Sequence, residues 1–180
     1  MFRQLKCFLK FRKQEMLLQS AAIGMNSSVD IARDRHIVML DYDVKDRDVV
    51  VRSIEELQRF WNLSDAYVFS TKNGFHVMLW YDIIPYSRLV MIINYAADVD
   101  PMFKRISQFY LHKTLRVEGK HPYRDIKFSG IVRGVRAPTG EEWEIGELKR
   151  KEHLMLVDPQ GFAKDKPMPF PQPQDVSARA

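Results

Sequence analysis

Residues 66–81 constrain the fold more than any other stretch. Two apolar runs with strand propensity, Ala66-Tyr67-Val68-Phe69-Ser70 and Phe75-His76-Val77-Met78-Leu79-Trp80-Tyr81, flank Thr71-Lys72-Asn73-Gly74. An Asn-Gly step between apolar runs is the strongest short-range hairpin signal, so an antiparallel pair over 66–71 and 75–81 is expected, turning at Lys72-Asn73-Gly74. A further run, Ile37-Val38-Met39-Leu40, predicts a strand over 36–43 that ends in Asp41-Tyr42-Asp43. The strand period of two places both carboxylates on one face. Side by side they repel unless a cation lies between them, and ligation by carboxylate oxygen suits magnesium or manganese. The hairpin lifts His76 onto its second strand, with Ser70 and Lys72 close by. A site for phosphate and metal is the expectation.

Elsewhere the chain alternates helical and extended patterns. Ile54, Leu57, Phe60 and Trp61 recur at helical spacing and predict a helix over 50–62, with Ser53 and Glu56 as a capping box. Helices are expected over 86–97 and 100–111, the second opening at Asp100-Pro101, and strands over 113–118 and 125–133. Pro138-Thr139-Gly140 reads as a turn before Trp143. Residues 2–19 interleave apolar and basic side chains as an amphipathic helix whose apolar stripe packs on the domain, and 20–30 read as a connector. From Asp158 prolines accumulate, so 158–180 read as an extended tail behind a single core over 1–157. The order predicts an α+β fold: an RRM-like mixed or antiparallel sheet with helices packed on it.

A chain of 180 residues, 46% of them hydrophobic, can bury one proper core. Its lone Cys7 excludes an internal disulfide, and no Cys and His pattern suggests zinc. No apolar run approaches the roughly 18 residues that a spanning helix needs. A cytoplasmic protein with no membrane partner is expected. The net charge is +5 and unevenly spread. From Phe103 to Arg136 nine Lys and Arg residues stand against Glu118 and Asp125 alone, whereas Ile31 to Asp100 is acidic. A polyanion can use both halves, cations for its phosphates and acids for the metal.

Three elements together resemble the archaeo-eukaryotic primase superfamily, the primase-polymerases. Leu40-Asp41-Tyr42-Asp43 matches its acidic pair, and Ser70-Thr71-Lys72-Asn73-Gly74-Phe75-His76-Val77 is similar to its Ser and His element as found in short bacterial, plasmid and viral branches. Val99-Asp100-Pro101 and Leu115-Arg116-Val117-Glu118-Gly119-Lys120 are similar to the Asp-Pro and Leu-Arg-x-x-Gly elements of those branches. The resemblance covers 36–120 and implies a nucleotidyltransferase that joins nucleotides on a DNA template in replication or repair. It implies that Asp41, Asp43 and Asp100 hold two Mg2+ or Mn2+ ions, Asp98 and Asp125 being alternatives for the third acid. It further implies that Ser70, Lys72, His76, Arg116 and Lys120 bind a nucleoside triphosphate, and that a helicase or other replication proteins act as partners. Only 35 residues precede the first predicted strand, so the α/β module that such enzymes place there is expected to be abbreviated. A catalytically inert nucleic-acid-binding relative of the same fold is the alternative.

Overall fold

The computed structural model describes residues 23–30, 32–109, 112–118 and 126–157. The amphipathic segment 2–19 and the tail 158–180 lie outside them. The fold is α+β, with a five-stranded antiparallel sheet at its centre. Its strands are β2 (Ser28–Asp30), β3 (Arg35–Tyr42), β4 (Ala66–Ser70), β5 (Phe75–Ile84) and β7 (Lys127–Val132), in the spatial order β2-β3-β5-β4-β7. β1 (Ile23–Asn26) and β6 (Thr114–Glu118) form a separate antiparallel pair. The connector predicted over 20–30 therefore contains two short strands.

The hairpin forms as its turn residues dictate. The Thr71 N–H donates to the Gly74 carbonyl, and the Gly74 N–H donates to Thr71 Oγ1. Glycine is required at 74 because the loop presses on the end of β3: a Cβ there would overlap the Tyr42 carbonyl oxygen. Beneath the hairpin, Val38, Leu40, Val68, Val77 and Leu79 are fully buried or nearly so.

α1 (Arg47–Trp61) lies on the sheet face carrying Tyr42, whose hydroxyl is 3.2 Å from Ser53 Oγ. Its N-cap is Asp46, which accepts from the Asp48 N–H at 2.9 Å. The capping box expected at Ser53 and Glu56 is thus displaced: Ser53 faces the core nearly two turns into the helix, and an acid before the first turn takes up the Asp48 N–H instead. α2 (Tyr86–Tyr95) and α3 (Pro101–Ser107) follow, the latter shorter than expected.

The largest departure from expectation is α4 (Gly140–Val157), eighteen residues where only a turn was read. Thr139 and Glu142 form its capping box: the Glu142 N–H donates to Thr139 Oγ1 at 3.2 Å, and the Thr139 N–H donates to Glu142 Oε2 at 2.8 Å. The helix lies against β5, opposite α1. Gly146 meets the Trp80 carbonyl and the Tyr81 ring, leaving no room for a Cβ, and Tyr81 donates its hydroxyl proton to Glu147 at 2.7 Å. A buried ion network fixes its start. Asp82 on β5 has no exposed side-chain surface and accepts from the Ser64 N–H and hydroxyl and from Arg136 at 2.7 Å. Arg136 also pairs with both Glu142 oxygens at 2.8 Å. Among the described residues no helix is long and apolar enough to cross a membrane.

Candidate functional site

The register of the sheet brings four side chains into one transverse row. Asp41 on β3 is the cross-strand partner of His76 on β5, His76 of Phe69 on β4, and Phe69 of Phe128 on β7. Directly opposed residues share a face, so all four lie on the α4 side of the sheet, while Tyr42 points to α1. The Asp41 carboxylate and His76 Nε2 are 3.6 Å apart, with 29% and 9% of their side chains exposed. Phe69 meets Phe128 edge-on at 5.6 Å between ring centroids, and His153 of α4 packs on Phe69 at 4.6 Å. The row is closed in its middle by a neutral imidazole. Burial, with His76 close by, pushes the His153 ring down to about 3.

The second acid group reaches the same place along the backbone. β2 pairs only with the first residues of β3, which leaves the far edge of β3 open. There the Asp100 N–H donates to the Asp41 carbonyl at 2.8 Å. Asp100 is the N-cap of α3 and accepts from the Met102 and Phe103 N–H groups with its two carboxylate oxygens.

Lys113 completes the arrangement from below. It is 2% exposed, its Nζ donates to the Phe103 carbonyl at 2.8 Å, and it lies 4.0 Å from the centre of the Phe103 ring. Burial pulls its ammonium down to about 8, against the opposing pull of Asp100 and Asp41. Its backbone exchanges hydrogen bonds with Ser27, whose carbonyl accepts from the Ile37 N–H on β3. The chain of bonds from Asp41 through Asp100, Phe103, Lys113 and Ser27 thus returns to β3, clamping α3 and the two-stranded sheet to its edge. In the sequence Lys113 is one charge of a basic belt, and nothing there distinguishes a lysine that will be buried.

The remaining candidates are less closely gathered. Asp43 stands exposed immediately beyond β3. Ser70 is one residue past Phe69 and so lies on the other face, where its hydroxyl donates to the Lys127 carbonyl at 3.3 Å; the expected proximity to His76 is not realised. Lys72 is exposed in the hairpin turn. Arg116 places its backbone in β6 opposite Gly24, and Asp98 is exposed in the turn before α3. Lys120 and Asp125 lie outside the described residues.

The donor set decides which cation these residues can take. Among the described residues no three His, Cys, Asp or Glu side chains gather as a metal group. Asp100 commits both oxygens to its helix cap. Asp41, its side chain 29% exposed beside His76, and Asp43 two residues on are too few protein donors to hold a divalent ion by themselves. No protein-family model, no curated protein and no solved structure matches this chain.

Proposed function

We propose that this chain is a small nucleotidyl-transfer module of the primase-polymerase kind, using Mg2+ or Mn2+ and a nucleoside triphosphate on a nucleic-acid template. One observation carries the reading: the acid and the imidazole that the resemblance singles out from separate segments are direct cross-strand partners, and the Asp100 backbone is bonded to the same Asp41. His76 would donate to the phosphates, and buried Lys113 supplies countercharge beneath Asp41 and Asp100 when no cation is present. A divalent ion held by Asp41 and Asp43 with the phosphates would favour the ionised form of the attacking 3′-hydroxyl and steady the departing charge. In the step itself the 3′-oxygen bonds to the α-phosphorus, the bond from that phosphorus to the bridging oxygen breaks, pyrophosphate leaves, and the hydroxyl proton passes to solvent.

The test is primer extension on a template with manganese, comparing wild type with Asp41→Asn. Incorporation in the wild type that disappears in the variant supports the reading. A second reading, binding of nucleic acid without transfer, is favoured by one feature: Asp100 already uses both carboxylate oxygens as a cap. It predicts salt-sensitive binding by wild type and Asp41→Asn alike, with no extension by either.

A further inference from the structure

A cleft of about 280 Å³ lies between the β2 edge of the sheet and α4, apart from the candidate site. Arg35, which lines it, and Asp41 are six positions apart on β3, roughly 20 Å at the strand rise. One wall is the β2 and β3 end, where Asp30 and Arg35 are cross-strand partners and Val29 stands beside them. The other is a single face of α4, because Ile145, Leu148, Lys149 and Glu152 fall at i, i+3, i+4 and i+7.

Among the described residues the lining consists of two cations, two acids and three aliphatic side chains. The cations are well covered, with 14% of the Lys149 side chain and 23% of that of Arg35 exposed, and the acids that pair with them, Glu152 and Glu141, are more exposed. Neither cation is saturated. Among the described residues Arg35 uses one of its five N–H donors, on Glu141 at 2.9 Å, and Lys149 uses two of its three, on Glu152 at 2.8 Å and on the Asn26 carbonyl at 3.4 Å. The acids also keep acceptor capacity: Glu152 accepts from Lys149 through one oxygen, and Asp30 meets only Arg33 there.

Three chemistries on so small a lining select the occupant. An inorganic anion would meet Asp30 and Glu152 as well as the cations and would leave the aliphatic wall uncovered. A hydrocarbon would leave four charged groups facing it without gain. The cleft is smaller than the roughly 300–1,000 Å³ of sites for drug-sized molecules, so its occupant is small. A compact molecule that carries a carboxylate, an ammonium and an aliphatic chain on one carbon complements all three kinds of lining.

We infer that this cleft binds a free aliphatic α-amino acid, with its carboxylate on Arg35 and Lys149, its ammonium on Asp30 and Glu152, and its side chain against Val29, Ile145 and Leu148.

The experiment is equilibrium dialysis of the full chain against labelled L-leucine. Saturable binding at one site per chain is expected. 4-Methylpentanoate lacks the ammonium and leucinamide lacks the carboxylate, so each should compete more weakly than unlabelled leucine by roughly 10- to 150-fold, the worth of one charge-assisted hydrogen bond. Arg35→Gln should weaken leucine binding by a similar factor. Leu148 is exposed, so Leu148→Asp should melt with the wild type and still lose leucine. The inference is overturned if no saturable binding is seen up to about 10 mM leucine, if either analogue or inorganic phosphate competes as well as leucine, or if either variant binds leucine like the wild type. Asp41→Asn should bind leucine as the wild type does, so failure of the proposed nucleotidyl transfer and failure of this site are told apart.

Discussion

Replacing Asp82 by Ala should unfold much of what holds α4 to the sheet. The carboxylate is fully buried and accepts from the Ser64 N–H at 3.0 Å, from its hydroxyl at 2.7 Å and from Arg136 at 2.7 Å. Removing it leaves two Ser64 donors and one side of a guanidinium that is itself only 22% exposed without an acceptor. Breaking a buried pair from one side costs about 3–5 kcal/mol, a large share of the roughly 5–15 kcal/mol that holds a domain together. With a urea slope of about 2 kcal/mol per molar, the unfolding midpoint should fall by roughly 2 M, read by circular dichroism. Asp82→Leu with Arg136→Met should cost less than the sum of the two single changes, because each alone strands the other, although Ser64 and Glu142 still lose a partner. A midpoint shift below about 0.5 M for Asp82→Ala, or single effects that simply add in the double variant, would refute the network as the anchor of α4.

Two further perturbations read other parts of the structure. His153 is neutral in the fold because burial and His76 hold its ring near 3, whereas the unfolded chain takes up a proton below its ordinary value of 6.5. Its contribution is therefore intact above that value and declines by about 1.4 kcal/mol per pH unit as acid is added, so His153→Leu should flatten the pH dependence of the unfolding free energy; an unchanged slope would contradict the burial argument. Gly74→Ala should destabilise by about 1–3 kcal/mol, since the new Cβ meets the Tyr42 carbonyl oxygen, and urea unfolding of this variant at wild-type concentrations would show that the hairpin does not press on β3.

What the sequence reveals and what it hides follow from the kind of signal each element leaves. The hairpin and β3 are legible because apolar runs with strand propensity mark them and an Asn-Gly turn joins β4 to β5, whereas the pairing of β3 with β5 that sets Asp41 opposite His76 joins segments far apart in the chain and is seen in the structure alone. α1, α2 and α3 are legible from apolar recurrence at helical spacing, although their caps shift by several residues. α4 leaves almost no such signal: the residues it buries are Gly146, Glu147 and His153, a glycine and two polar side chains, so no apolar stripe marks it. The Thr139 and Glu142 pair was the clue available. Lys113 and the Phe128 end of the row were hidden for another reason. Burial of a lysine and alignment of β7 beside β4 depend on contacts between segments far apart in the chain, which local pattern does not encode.

The most direct test of the site is calorimetric titration of a nucleoside triphosphate into the full chain, with and without manganese, for wild type, Asp41→Asn and His76→Ala. The two-carboxylate donor set predicts that manganese alone binds weakly and that metal and nucleotide strengthen one another. That mutual effect should vanish in Asp41→Asn, and nucleotide affinity in His76→Ala should fall by roughly 10- to 150-fold, the value of a charge-assisted hydrogen bond. Equal nucleotide binding by all three proteins, or tight manganese binding that persists in Asp41→Asn, would contradict the account.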